Sequence, residues 1–179
     1  MPGRMTEKII RDPVHDVIAF RMDRPADSLL FRLLNAGEIQ RLRRIRQLGL
    51  ASLAYPGADH SRYSHSLGVM ETSRRILGQL GQFFTIEPAD ELVCLVSSLL
   101  HDLGHGPFSH VFERVSGIHH EQFTRRVIED PASDVHRILS EHDRALPALV
   151  IRFMQKQPRT FLTDIVSSQL DADRFDYLL

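Results

Sequence analysis

The feature that most constrains this chain is an apolar run, Leu92-Val93-Cys94-Leu95-Val96 and on to Leu99-Leu100, that ends in His101-Asp102-Leu103-Gly104-His105-Gly106-Pro107. Ala89 to His101 is the most apolar stretch of helical length, so it is expected to form the central helix. Glycine and proline do not continue a helix interior cheaply, so Gly104, Gly106 and Pro107 should stop it. The stop places an adjacent imidazole and carboxylate at the end of a buried element. Burying Asp102 there is costly unless a cation or hydrogen-bond donors compensate. A metal ion compensates well, because imidazole and carboxylate together suit Zn, Mn, Fe and similar ions. Neighbours on a helix point about 100° apart, so both side chains reach one ion only at the helix end, where the glycines turn the chain.

A second His-Asp pair, His142-Asp143, tempers the inference. It lies in the polar stretch Ser140-Glu141-His142-Asp143-Arg144 between expected helices, and reads as a solvated loop. What sets His101-Asp102 apart is its company: His65 on another expected helix, and Asp171 and Asp173 on a third.

Around these residues the chain reads as mainly α. The first twenty residues suggest a short hairpin, with Asp12-Pro13 as the turn and the β-branched, apolar Val14 to Phe20 after it. Leu29, Leu30, Leu33 and Leu34 mark one short helix. Ile39, Leu42 and Ile45 mark a second, whose other face is the arginine run Arg41, Arg43, Arg44, Arg46, read as solvated. Gly49 and Pro56-Gly57 interrupt the pattern. A long helix is expected from a cap at Asp59 to Ser61 as far as Leu80. After the central helix come Ser109 to Val115, His120 to Glu129, Ser133 to Glu141, Ala145 to Gln155, and one last helix over Phe161 to Leu179.

With 179 residues, 42% hydrophobic and 25% charged, the chain can bury a real core, and residues 1–179 are read as a single domain. Lys and Arg number 22 against 23 Asp and Glu, which leaves no footprint of a general nucleic-acid or membrane-surface binder. Cys94, the single cysteine, cannot form an internal disulfide and reads as a small buried hydrophobe. Met1 to Arg11 lacks the apolar core of a signal peptide, and Leu92 to Leu100 is too short to span a bilayer. A cytoplasmic location is the default expectation. Phe175, Leu178 and Leu179 continue an amphipathic pattern with no stop signal, so the chain is expected to be the N-terminal part of a longer protein.

Several long stretches make the sequence recognisable: Arg11-Asp12-Pro13-Val14-His15; Gln40 to Gly49; Tyr55 to Val69; Leu100 to Glu113; His120-Glu121-Gln122; and Asp171 to Leu179. Together they resemble the HD-domain metal-dependent phosphohydrolases, and among those the deoxynucleoside triphosphate triphosphohydrolases, in order along nearly the whole chain. The resemblance implies an HD-domain helical bundle around a metal site. It implies His65, His101, Asp102 and Asp173 as ligands of a divalent ion (Zn, Mn, Fe, Ni or Mg); spacing alone leaves Asp173 and Asp171 even. It also places Arg62, His105, His110, His120 and Tyr177 around a nucleotide, with Gln47 near the sugar. In relatives the chain continues past Leu179 with an Arg-Asp pair and helices that complete the pocket and a homo-oligomer interface.

The implied reaction is attack of metal-activated water on the α-phosphorus of a dNTP, releasing a deoxynucleoside and triphosphate. Arg62, at i−3 from His65, shares its helix face and can reach a phosphate at the metal. His110 and Glu113, i and i+3, can make a protonated imidazole held by a carboxylate, with His120 as the rival acid. His105 reads either as part of this set or as packing for the Gly-Pro turn. His15 reads as a brace for the N-terminal turn, and Asp176 as solvent-facing or paired with an arginine. Two other functions share the metal motif or the fold: another HD phosphohydrolase, acting on monophosphates, cyclic nucleotides or guanosine polyphosphates, and a catalytically silent nucleotide-binding module.

Overall fold

The computed structural model describes residues 6–55, 57–108 and 110–178. Expectations for Met1 to Met5, Pro56, Ser109 and Leu179 therefore lie outside the described residues. The chain begins with a hairpin, β1 (Glu7–Asp12) and β2 (Asp16–Arg21), paired antiparallel with Ile10 opposite Ile18. Asp12 makes its turn, its Oδ1 accepting from the backbone N–H groups of Val14 (2.9 Å) and His15 (3.0 Å). Alternation along β2 turns Ile18 and Phe20 into the core. Two arginines of the long helix behind it tie the hairpin down, Arg74 through the Ala19 carbonyl and Arg75 through that of His15, both at 3.1 Å.

Helices follow. They are α1 (Pro25–Leu34), α2 (Gly37–Gln40), α3 (Arg62–Leu80), α4 (Pro88–Leu100), α5 (His110–Ser116), α6 (His120–Glu129), α7 (Asp134–His142), α8 (Leu146–Met154), α9 (Phe161–Val166) and α10 (Ala172–Tyr177). Pro25 and Pro88 open α1 and α4 where a missing N–H costs nothing. Ser61 caps α3 by accepting from the Ser64 N–H. In α4 every residue from Val93 to Leu100 is buried, Cys94 among them, so this helix is the centre of the bundle, with α3, α8 and α9 packed around it. The two neighbours α3 and α4 share a buried hydroxyl pair, Ser98 to Ser73 at 2.7 Å. The mainly α expectation with a short N-terminal β element is met. None of the helices among the described residues is long and apolar enough to cross a membrane.

Two expected helices come out differently. The one through Ile39, Leu42 and Ile45 ends at Gln40; a 3-10 turn, Arg41–Arg44, follows, and Ile45 is extended. This resets the phase of the arginine run. Arg41 folds its guanidinium onto the carbonyls of Leu103 and His105, Arg43 stacks 3.7 Å from the centre of the Tyr63 ring, and Arg46 bonds Ser52. All four arginines are exposed, as expected of a solvated face, while Arg41, Arg43 and Arg46 also reach back to neighbouring segments. The last segment is two helices, not one. Asp171 breaks it by capping α10, its carboxylate accepting from Arg174 N (2.8 Å) and Ser168 N (2.6 Å).

Candidate metal centre and cleft

Three elements aim side chains at one point. Helix α3 supplies His65 and Arg62, the end of α4 supplies His101 and Asp102, and α10 supplies Asp173. One donor atom from each of His65, His101 and Asp102 lies within 4.8 Å of the others. His65 Nε2 is 2.9 Å from Asp173 Oδ1 and 3.7 Å from Asp102 Oδ2; His101 Nε2 is 3.4 Å from Asp102 Oδ1 and 3.8 Å from Asp173 Oδ1. Asp171, its carboxylate spent on the α10 cap, is not part of the cluster.

The donor set fits a divalent cation. Both Nε2 atoms are buried without a hydrogen-bond partner, with Asp173 Oδ1 2.9 Å from that of His65. Both Nδ1 atoms, by contrast, are engaged: His65 Nδ1 with Asp176 Oδ2 at 2.6 Å, and His101 Nδ1 with the Ser98 carbonyl at 2.8 Å. An N–H at Nδ1 leaves the lone pair at Nε2, which is how metal-binding imidazoles are held. A bare buried nitrogen facing carboxylates is otherwise costly.

The charges agree. Burial resists protonation of His65, yet Asp173, Asp176 and Asp102 together raise it to about 9. Burial also pushes Asp102 up, but His101, His105 and Arg62 hold it well below the usual carboxylate range. Asp173 is likewise lowered, with burial opposed chiefly by His65. Arg62, 3% exposed, pairs with Asp102 Oδ2.

A second cluster flanks the first. His105 Nε2 is 3.4 Å from Asp102 Oδ1, and the His105 ring stacks on His120 with centroids 3.8 Å apart. Burial, its largest influence, lowers the His105 pKa despite Asp102. Glu113 on α5 accepts from both remaining rings, His110 Nδ1 at 3.0 Å and His120 Nδ1 at 2.5 Å, and from the His120 backbone N–H at 2.9 Å. Burial raises this carboxyl, but His110 and His120 outweigh it and bring it to about 2. Each ring keeps Nε2 for its surroundings. His120 is the more enclosed, 23% exposed at its side chain against 70% for His110. Gly104 makes the junction possible: a Cβ there would lie 2.0 Å from the His120 carbonyl oxygen and 2.4 Å from Thr124 N.

Both clusters adjoin one cleft of about 590 Å³, lined also by Gln47, Arg62 and Tyr177 and by Ile151, Phe153, Met154 and Gln155. The Gln47 side-chain oxygen is buried without a partner. The structure therefore brings all the sequence-predicted site residues to one place, with His65 and Glu113 just behind the lining. Three contributors escaped sequence reasoning. Asp176, read as solvent-facing or paired with an arginine, is a buried partner of His65 and His15; His15 does more than brace a turn; and Arg41 grips the loop between Asp102 and His105.

A mainly helical frame that gathers two imidazoles and two carboxylates beside an open cleft defines a helical bundle with a cluster that could hold a divalent cation. The family model for the HD domain matches residues 62–178, and the chain belongs to the HD-domain family. It is similar, at 42% identity over 98% of its length, to the uncharacterized protein YwfO of Bacillus subtilis, of which it covers 40%. It is 41% identical over 60% of its length to the deoxynucleoside triphosphate triphosphohydrolase SAMHD1 of Bos taurus, covering 18% of that protein. A solved phosphohydrolase from Bacteroides thetaiotaomicron superposes with a TM-score of 0.82 at 36% identity, over 97% of this chain and 41% of that one. The chain thus spans about two fifths or less of the length of these relatives.

Proposed function

We propose that the chain carries the catalytic site of a metal-dependent phosphohydrolase that cleaves deoxynucleoside triphosphates into deoxynucleoside and triphosphate, with His65, His101, Asp102 and Asp173 as the metal ligands. The observation that carries this reading is the pair of bare, buried Nε2 atoms facing two carboxylates on the wall of a cleft that also holds an arginine and a carboxylate-linked histidine pair. A divalent cation there supplies Lewis acidity toward water and toward a phosphoryl oxygen.

The chain's own groups supply the rest. Arg62 meets the phosphate oxygens on which negative charge grows. As water adds to phosphorus and the bond to the sugar oxygen breaks, that oxygen takes a proton from His110 or His120. Glu113 holds both rings by Nδ1, so Nε2 is the donating atom. His105, kept neutral by burial, packs between Asp102 and His120. The unpartnered oxygen of Gln47 matches a sugar hydroxyl, and Tyr177 offers a ring edge at the cleft mouth. The likeness to SAMHD1 supports the choice of a deoxynucleoside triphosphate.

The test is to incubate the metal-loaded protein with each deoxynucleoside triphosphate and resolve the products. Deoxynucleoside with intact triphosphate is expected. Release of orthophosphate or pyrophosphate, or turnover of monophosphates or cyclic nucleotides alone, overturns the substrate assignment. Asp102→Ala should bind no metal.

A further inference from the structure

We propose that Asp176 is a positioning residue of the metal centre and that, through it, His15 makes the N-terminal hairpin a working part of that centre. This rests on His65 being a metal ligand. Three segments distant in sequence meet here: the hairpin turn, α3 and α10. Asp176 Oδ2 accepts from His65 Nδ1 at 2.6 Å, and Asp176 Oδ1 accepts from His15 Nε2 at 2.7 Å. Side-chain exposure is 0% for His65, 3% for His15 and 9% for Asp176, so water offers no substitute partner. Hydrogen bonds to a carboxylate are among the strong ones, and burial strengthens them further.

The arrangement specifies one orientation and one tautomer for His65. Asp173 and Asp176 stand at i and i+3 on α10, so one helical turn brings a carboxylate to each side of the ring: Asp176 holds Nδ1, and Asp173 faces Nε2. With the proton fixed at Nδ1, the lone pair at Nε2 faces Asp102 and Asp173. His15 completes the hold by occupying the second oxygen of Asp176. Its own place is set from both sides, its N–H donating to Asp12 (3.0 Å) and its carbonyl accepting from Arg75 of α3 (3.1 Å). Space has been cleared for this meeting. A Cβ on Gly68 would lie 1.9 Å from Asp176 Oδ1 and 2.7 Å from His15 Nε2. A purely structural ion pair has no need of the last feature, the His65 Nε2 left buried and without a hydrogen bond. Residue 15 also lies outside the stretch matched by the HD-domain model, which begins at residue 62.

The experiment uses the 179-residue chain, with Mn(II) affinity read by calorimetry and the His65 tautomer read by nitrogen-15 NMR without added metal at a pH above 9, where the ring is neutral. Asp176→Asn, which keeps one acceptor oxygen but loses the charge, should lower affinity about 10–100-fold, the usual effect of weakening such a support, and should weaken the preference of His65 for the Nδ1–H tautomer. His15→Ala should lower affinity less, and His15→Gln, which keeps a donor for Asp176, should restore most of it. Circular dichroism should be unchanged throughout. If Asp176→Asn binds Mn(II) as the parent does, or if His65 in the parent carries its proton at Nε2, the proposal is overturned. A parent that takes up no metal while showing the Nδ1–H tautomer instead sinks the metal-site reading and leaves the grip of Asp176 on His65 standing. Should Asp176→Asn fail to fold, the Ala and Gln variants of His15 and the parent's tautomer decide the matter.

Discussion

The chain contains the dipeptide His-Asp twice, and the two copies have opposite fates. His101-Asp102 ends a helix whose last eight residues are all buried, so its side chains emerge inside the protein, against α3 and α10. His142-Asp143 ends α7 at the surface; both residues are exposed, and Asp143 Oδ1 does no more than accept from Ala145 N at 2.8 Å to start the turn into α8. The dipeptide carries no chemistry of its own. What matters is where the preceding helix stops, because burial removes the water that would otherwise satisfy both groups.

The largest test of this contrast is paired substitution. Asp102→Ala should abolish metal uptake and hydrolysis. It should also lower stability, since the buried ion pair between Asp102 and Arg62 is lost. Asp143→Ala should leave metal content, activity and melting unchanged. Equal effects at the two sites, by elemental analysis and thermal melting, would break the comparison.

Glu113→Gln asks whether the second histidine cluster works separately from the first. Its kcat should fall about 10²–10⁴-fold, the usual worth of general acid–base catalysis, while metal content stays at the parent level. Loss of metal along with activity would merge the two clusters into one.

A smaller effect concerns Gly68. In an open helix Gly→Ala gains about 1 kcal/mol, but here the methyl would displace Asp176 or His15. Gly68→Ala should therefore unfold at lower urea concentration than the parent, whereas Gly78→Ala, where a Cβ meets nothing within 4 Å on the same helix, should not.

The smallest expected effect is in acid. Glu113 titrates at about 2 against an ordinary 4.5, so its partners stabilise the charged form. A lowered carboxyl adds stability above its ordinary value and loses it as pH falls through the folded value. The melting-temperature advantage of the parent over Glu113→Gln should be complete above about pH 4.5 and vanish toward pH 2. An advantage that stayed constant over that interval would remove the charge from the account.

Much of this was legible in the sequence because the signals were local. The apolar run before His101, the glycines after Asp102 and the i, i+3 pairs Arg62/His65 and His110/Glu113 each declare themselves within a few residues. Asp173 against Asp171 was not decidable by spacing, since the answer lies in which of them caps α10. That cap was itself a readable signal, an aspartate three residues before an arginine at the start of an amphipathic turn, and it would have split the last segment into α9 and α10. The helix expected through Ile45 failed for a different reason: periodicity assumes a continuing helix, and the 3-10 turn at Arg41–Arg44 changes the angular step. His15 and Asp176 are 161 residues apart and meet only in the folded chain, so no local pattern could pair them.

Gly104 has a consequence for how such a protein could choose its substrate. With no room for a methyl between the α4 turn and the start of α6, and with Thr124 Oγ1 accepting from Gly104 N at 2.8 Å, the ledge bearing Asp102 and the ledge bearing His120 form one rigid jaw. Differences among ligands of the cleft would then be met by its other lining, Ile151, Phe153, Met154 and Gln155, on or next to α8.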